Sequence, residues 1–468
     1  MPIDRAANRS PDVLAALWRE AGLPAAALDH VDLPGAGPVV PSHFAVADAA
    51  QASLGAATLA AAEIRHRRGH GRQLARVDRA HVVAQSLGWF SLDGVVPPTW
   101  DPIAGLYPCA DDGWVRIHAN FAHHRDGALR LLGLPEGPAT KREAVTDALR
   151  DWRAEAFETA AAEAGLVVSA ARTFAQWDAH PQSAAVAAQP LVRLERIGDA
   201  PAIAWPASAP HAQPLAGLRV LDLTRILAGP VGCRTLAAHG ADVLMINSPH
   251  LPNIDAIAEV SRGKRSAHAD LRTPAGRAAL DALIADAHVF VQGYRPGGLA
   301  SLVYSPEALA RARPGIVAVS LTAYGTTGPW GGRRGFDSLV QTATGFNLAE
   351  AAAAGADKPQ AMPLQILDFT AGFLLAFGAQ AALLRQADEG GSWRVDVSLA
   401  QAAHWLRGLG PVEDGFAAQR LSPDPWLVSE PSGFGRLVGV RHAGELADTP
   451  AVWRLPSMPP GTHAARWA

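Results

Sequence analysis

PLAGLRVLDLTRILAGPVGCRTLAAHGADVLMIN, residues 214–247, is an apolar run (LRVLDL, 218–223), an Ala/Leu helical stretch (231–239) and a second apolar run (DVLMI, 242–246). The pattern continues with HVFVQ at 288–292 and GIVAVSL at 315–321, separated by helical stretches at 274–286 and 306–313. Strands alternating with helices of this length are βαβ units, and they predict an α/β fold with an open, doubly wound parallel sheet. Ligands to such sheets bind at the carboxyl ends of the strands. The loops to examine are therefore 224–230, 247–265, 293–301 and 322–337.

Outward from this core the organisation changes. Residues 200–214 (APAIAWPASAPHAQP, from Ala200) read as a Pro-marked linker. Residues 101–200 form a smaller α+β unit, with strand-like pieces around 105–119, a hairpin signal at Asp112-Gly113 and amphipathic helices near 141–165. Residues 1–100 are a helical segment, 214–410 the main domain, and 411–468 a Pro-rich irregular tail laid over another surface.

Sliding the chain by 320 positions lays residues 46–80 over 366–400 without a gap. Asp48 falls on Asp368, Arg65 on Arg385, Gly71 on Gly391 and Val77 on Val397. Each copy is an acidic residue opening an Ala-rich helix, a basic Gly turn and a strand, which points to duplication.

At 468 residues, 49% of them apolar, the chain has room for two or three domains, each with a real core. Lys and Arg (41) nearly balance Asp and Glu (44), so there is no electrostatic footprint for nucleic acid or an anionic membrane. Cys109 and Cys233 fit neither a disulfide framework nor a zinc pattern, and the N-terminus lacks the apolar core of a signal peptide; the expected compartment is the cytoplasm. The apolar run between Asp368 and Arg385 is sixteen residues long and reads as a buried helix rather than a membrane span.

Asp368 stands before FTAGFLLAFG, where a carboxylate meets the positive end of a helix. It reads either as an N-cap or as a nucleophile kept ionised there. The loop TAYGTTGPWGGRRG (322–335) carries five glycines and can present N–H groups to a phosphate or oxyanion, or be a plain turn. Arg262, Lys264, Arg265 and Arg272 gather in RGKRSAHADLR, as phosphate ligands or as a solvated loop. His118, His123 and His124 lack a Cys or acid at ligand spacing, so no metal site is expected and an ordinary polar surface is the simpler reading. The dinucleotide fingerprint, P-loop, nucleophile elbow and H-E-x-x-H are absent, which argues against a nicotinamide dehydrogenase and against the corresponding hydrolases.

PLAGLRVLDLTRILAGP, GADVLMIN, GKRSAHADLRTPAGR, QGYRPGGL, LTAYGTTGP, GFDSLVQTATG, the P-x4-D step ending at Asp368, and WRVDVSLAQA occur in the order found in class III coenzyme A transferases of the CaiB/BaiF type, which the chain resembles across 214–410. Residues 46–190 are similar to that family's middle portion, so the small domain precedes the main domain and the chain resembles a permuted or fused, trimmed pair. The resemblance implies a Rossmann-like sheet domain, an acyl-CoA:carboxylate CoA-transferase with Asp368 as nucleophile, and acyl-CoA and carboxylic acids as partners. No cofactor is held permanently; the coenzyme A thioester is the substrate. A homodimer is implied, interlocked as family members are, or a chain that folds the same arrangement internally.

Carried over by motif, Leu227 and Ala228 follow the first strand, Asp270, Leu271 and Arg272 lie in the basic loop, Tyr294 and Arg295 sit near the nucleotide, and Tyr324 and Gly325 lie by the thioester. Asn247, Gly293 and Ser301 stand where the family usually has an acid, Asn and Arg, which weakens the expected coenzyme contacts. Asp48 lacks the surrounding motifs and reads as a remnant. Two other readings stay open: a non-catalytic CoA-binding or partner subunit, and an acyl-CoA isomerase or racemase. The racemase-type His before Asp337 is replaced by Phe336, which removes the base such chemistry needs.

Overall fold

The computed structural model describes residues 8–203, 205 and 209–468; part of the Pro-marked linker and the first seven residues, where a leader was sought, lie outside them. Seven strands make the central sheet: β1 (Arg193–Gly198), β2 (Arg219–Leu223), β3 (Asp242–Asn247), β4 (Lys264–His268), β5 (Val289–Gln292), β6 (Val317–Thr322) and β7 (Ser392–Ser398). Their spatial order is β4-β3-β2-β5-β6-β7-β1. All neighbours are parallel except β1, which runs antiparallel along β7. The fold is mixed α/β with a mostly parallel sheet.

Short-range chemistry sets the helices between the strands. Thr273-Pro274 and Ser305-Pro306 open two of them, each hydroxyl accepting the N–H three residues on, Gly276 at 3.0 Å and Ala308 at 3.2 Å. The sheet order reverses between β2 and β5, and the chain leaves β2 into α2 (Ala228–Ala238). A ligand crevice belongs at the carboxyl ends of these two strands.

Three features depart from the sequence reading. The basic stretch is not a loop: residues 264–268 form edge strand β4, paired with β3. Residues 193–198, placed with the small unit, complete the sheet beside β7. Three strands follow residue 410 where irregular chain was expected: Leu427–Ser432 and Gly435–Val440 form a hairpin beside Phe90–Leu92, and Gly444–Leu446 pairs with Ala75–Val77. Beyond them the Val452 N–H donates to Ala238 and the His463 N–H to Ser266, so the last residues lie against the main domain.

The duplicated segments fold alike and pack together. Helix α1 (Val46–Arg67) lies against helix α4 (Ile366–Glu389). Gln380 donates to the Ala57 carbonyl at 3.0 Å, and Arg67 pairs with Asp388 at 2.8 Å. Under the offset of 320 these partners stand at nearly matching heights, so the helices run side by side as a pseudo-symmetric pair. Helix α4 has 24 residues, longer than the apolar run suggested, because Ile366 and Leu367 precede it and polar residues extend it. It is long and apolar enough to cross a membrane, yet 94% of its most apolar window is buried inside the protein.

On its other side α4 crosses α2 through glycines. A Cβ on Gly372 would stand 2.5 Å from the Ala228 carbonyl oxygen, and one on Gly232 would stand 2.6 Å from that of Gly372. Only glycine at both positions lets the backbones approach this closely. The crossing sets the start of α2 beside the first turn of α4, where Asp368 lies.

Candidate active site

Asp368 is the third residue of α4 and makes no capping hydrogen bond; Gln365 occupies the N-cap. Its side chain is 8% exposed and lines a cavity of about 570 Å³ at the carboxyl ends of β2, β5 and β6. The capping reading is thereby removed. The Asp368 N–H donates to Oδ2 of Asp337 at 2.8 Å. Asp337 opens helix α3 (Asp337–Ala343), and Gln341 one turn on donates to its other oxygen at 2.5 Å.

Two carboxylates thus share a buried pocket. Burial pushes Asp337 up to about 7, against the pull of the N–H groups of Asp368 and Leu367, the Gln341 amide and the Arg116 charge. Burial, and then the charge of Asp337, hold Asp368 well above the ordinary carboxylate range. The helix N-terminus was expected to keep Asp368 ionised; desolvation outweighs it because both side chains have left water. An anion that is poorly solvated is also a stronger nucleophile once formed.

Most residues expected to hold the coenzyme converge on the same cavity. Leu227 and Ala228 from the β2 turn, Asp270, Leu271 and Arg272 after β4, and Tyr294 with Arg295 after β5 all line it. Asp270 and Arg272 clasp each other through two bonds of 2.9 Å, and the hydrogen bond from Arg272 holds the Asp270 carboxyl well below its usual range. Gly293 lines the wall as well, whereas Asn247 is buried and the Ser301 hydroxyl is spent on the Gly298 carbonyl at 2.8 Å.

The other expectations are corrected. Tyr324 and Gly325 stay outside the lining: the Tyr324 ring is 1% exposed against Trp330, and Leu321, Thr322 and Ala323 form the wall instead. The Gly-rich loop is held by Gln182, whose side chain bonds the carbonyls of Tyr324 and Thr327 and the N–H of Trp330. Of the four cations proposed for phosphate, three are consumed structurally. Lys264 pairs with Asp222 at 2.8 Å, Arg262 with Glu430 at 2.7 Å, and Arg265 with Asp242 at 2.8 Å. Of these four only Arg272 lines the cavity, with its side chain 68% exposed.

Sequence reasoning missed several wall residues. Ile226 adopts φ +76, a conformation a β-branched residue rarely takes, and it turns the chain sharply between β2 and α2. Arg225, Phe121, His124 and Phe336 also line the cavity. The small domain supplies Phe121 and His124 from its helix Ala122–Leu131 and the residue before it. The triple histidine was the available signal, and it was read as polar surface because nothing local shows that His118 and His124 are buried, 5% and 6% exposed. Among the described residues no group of three or more His, Cys, Asp or Glu could hold a metal.

A strand-end cavity lined by a desolvated carboxylate and by basic side chains is the site that this α/β fold presents. The sequence profile of CoA-transferase family III matches residues 14–207 and again 215–423, and the chain belongs to that family. It is 30% identical over 332 residues to the acetyl-coenzyme A transferase nodX of Hypoxylon pulicicidum, covering 67% of this chain and 56% of that protein. It is also 30% identical to the succinate–glutarate CoA-transferase of Agrobacterium fabrum, over 50% of this chain and 68% of that one. A probable fatty acyl-CoA transferase of Mycobacterium tuberculosis is 34% identical over 43% of this chain and 54% of its own length. The chain thus spans little more than half the length of two of these three relatives.

Proposed function

We propose that the chain is an acyl-CoA:carboxylate CoA-transferase working through an aspartyl-CoA thioester on Asp368. The observation that carries this is the meeting, in one cavity, of the desolvated Asp368 carboxylate with the residues expected to hold the coenzyme. The Asp368 oxygen attacks the thioester carbonyl; a C–O bond forms, the C–S bond breaks, and a mixed anhydride and coenzyme A thiolate result. The thiolate attacks the aspartyl carbonyl and releases the acyl group as a carboxylate. An acceptor carboxylate then attacks the aspartyl thioester, and the returning thiolate takes the new acyl group and frees Asp368. No net proton is transferred and the thioester energy is kept in covalent form. The chemistry calls for no resident cofactor.

The names of the relatives support transfer of coenzyme A. Strand order and the crevice at the β2/β5 switch support a Rossmann-like reading of the sheet. Phe336 stands where a racemase-type His would precede Asp337, and the His118 ring stacked on it at 3.9 Å is not part of the lining, so the base for α-proton removal is missing at that position. The intact mass after incubation with acyl-CoA thioesters tests the mechanism. A hydroxylamine-labile coenzyme A adduct mapped to Asp368, absent in Asp368→Ala, is expected; no adduct across a broad panel refutes it.

We read the two profile matches and the packed duplicate helices as a fused pair that folds within one chain, the small domain of the first half roofing the cavity of the second. Light scattering at the mass of one chain, with one coenzyme A bound per chain, is the expected result; two coenzyme A molecules per chain refute it.

A further inference from the structure

A buried cation without an acid partner stands at the seam between the small domain and the main domain. Arg116 is 7% exposed, yet among the described residues its guanidinium makes no ion pair and no hydrogen bond; it lies over the Trp100 ring at 5.3 Å. Arginine is almost never buried unless it is paired. Burial lowers it to about 10, which leaves it charged at neutral pH.

The strand fixes where this charge points. In Trp114–Ile117 the alternate residues Val115 and Ile117 belong to the core of the small domain, so Arg116 stands on the opposite face. Ser169, directly across from it on Val168–Ala170, meets the Tyr324 hydroxyl of the main domain at 3.4 Å. His118, two residues on, stacks on Phe336 at 3.9 Å. Both strands pack on α3, whose first residue is Asp337. The Arg116 charge therefore faces the acid that accepts the Asp368 N–H, and it pulls Asp337 toward its ionised form.

The other charged groups around α3 are neutral, committed or exposed. Burial lowers His118 to about 3 and His124 to about 4, so both rings are uncharged. Arg142, which repels Arg116, bonds the carbonyls of Ala104 and Leu106. Glu158 pairs with Arg172 at 2.5 Å and with Arg333 at 3.2 Å. From helix Phe346–Ala354, Glu350 accepts the Ser42 hydroxyl and the His43 N–H. On helix Leu399–Gly408, Arg407 pairs with Asp178 at 2.6 Å and His404 is exposed.

We propose that Arg116 is a positioning residue for the acid pair: the small domain delivers its charge across the seam to Asp337, and through Asp337 it eases ionisation of Asp368. Asp337 holds the N–H donors and carries charge first; an uncompensated anion there opposes a second one on Asp368, and a cation beside it lowers the cost of both. The rate measurement below rests on the CoA-transferase reading; the carboxyl titration does not.

The test compares Arg116→Met with Arg116→Lys. In Arg116→Met the pH–rate profile of transfer moves up by about one pH unit, so the rate falls about tenfold below the midpoint and returns to within about twofold of wild type on the plateau. Arg116→Lys restores most of the shift, and in an Asp337→Asn background Arg116→Met adds none. Without substrate, the 13C-labelled Asp337 carboxyl, assigned by its loss in Asp337→Asn, titrates at higher pH in Arg116→Met. A profile and a carboxyl titration that both stay in place overturn the proposal, as does an equal loss of rate at every pH, which marks a packing role alone. If no acid accepts coenzyme A and no Asp368 adduct forms, the transferase reading fails, and the carboxyl titration still decides the role of Arg116. Should Arg116→Met fail to fold, the uncharged Arg116→Gln is read the same way.

Discussion

Replacing Gly372 by alanine moves the proposed nucleophile, Asp368, without touching it. The new Cβ would stand 2.5 Å from the Ala228 carbonyl oxygen and 3.1 Å from Val231, where ordinary contact begins at 3.4 Å. The atom it meets is backbone, so α2 and α4 must part by roughly an ångström, a displacement that costs about a hundredfold when it separates reacting groups. Asp368 lies one turn before Gly372, and Leu227 and Ala228 lie at the start of α2, so the shift opens the cavity between Asp368 and the residues expected to hold the coenzyme. Overpacking of this kind destabilises by about 1–3 kcal/mol. The assays are urea denaturation and kcat for CoA transfer, with Gly408→Ala as control, because a Cβ there meets nothing within 4 Å. Gly372→Ala is expected to lose about a hundredfold in kcat and to unfold at lower urea. A variant as active and as stable as the control would refute the glycine crossing as the device that positions Asp368.

Other expectations follow from the ion pairs and carboxylates. The Lys264–Asp222 pair is fully buried and Lys264 also bonds the Pro230 carbonyl at 2.9 Å, so Lys264→Met strands a charge and costs about 3–5 kcal/mol in urea denaturation. Arg272→Gln raises KM for the thioester about two- to fivefold, more at low salt than at high, since the side chain is solvent-exposed. Transfer activity rises with pH above the ordinary carboxylate range, because on the proposed mechanism Asp368 acts as its anion and burial raises its carboxyl. Stability moves the other way: Asp337 binds its proton more tightly folded than unfolded, so its contribution falls as pH climbs from about 4 to about 7. Asp337→Asn keeps an acceptor for the Asp368 N–H and removes the neighbouring charge, so its pH–rate profile shifts to lower pH; an unmoved profile contradicts the coupling.

The parallel core was legible because its strands are buried on both faces and read as continuous apolar runs, with Thr-Pro and Ser-Pro starts between them. β4 was not. Its KRSAH sequence is as polar as a loop, and only Asp222, Asp242 and Glu430 on distant segments turn its basic residues and Arg262 into structural partners. The strands after residue 410 escaped for a similar reason, as their pairing partners lie some 350 residues earlier at 75–77 and 90–92. Tyr324 was misplaced because a motif fixes position along the chain, while the direction of the ring is fixed by Trp330 and Ser169. The wall from the small domain depends on how two units dock, which no local pattern encodes.

The duplicate helices set two matching carboxylates in contrasting surroundings. Asp48 and Asp368 occupy matching positions in packed helices, and both are buried, 2% and 8% exposed. Asp48 receives both arms of Arg79, at 3.0 and 2.9 Å, the Arg9 N–H at 3.2 Å and the Ser10 hydroxyl at 3.4 Å. An anion so satisfied has its lone pairs committed and its charge neutralised, which makes a sound structural joint and a poor nucleophile. At Asp368 the arginine is missing, and another carboxylate, Asp337, stands in its neighbourhood. The same desolvation that accompanies the Asp48 pair leaves Asp368 without a cation and raises its affinity for a proton. On the proposed mechanism, the pair differ in the partner supplied to the acid, not in the acid itself.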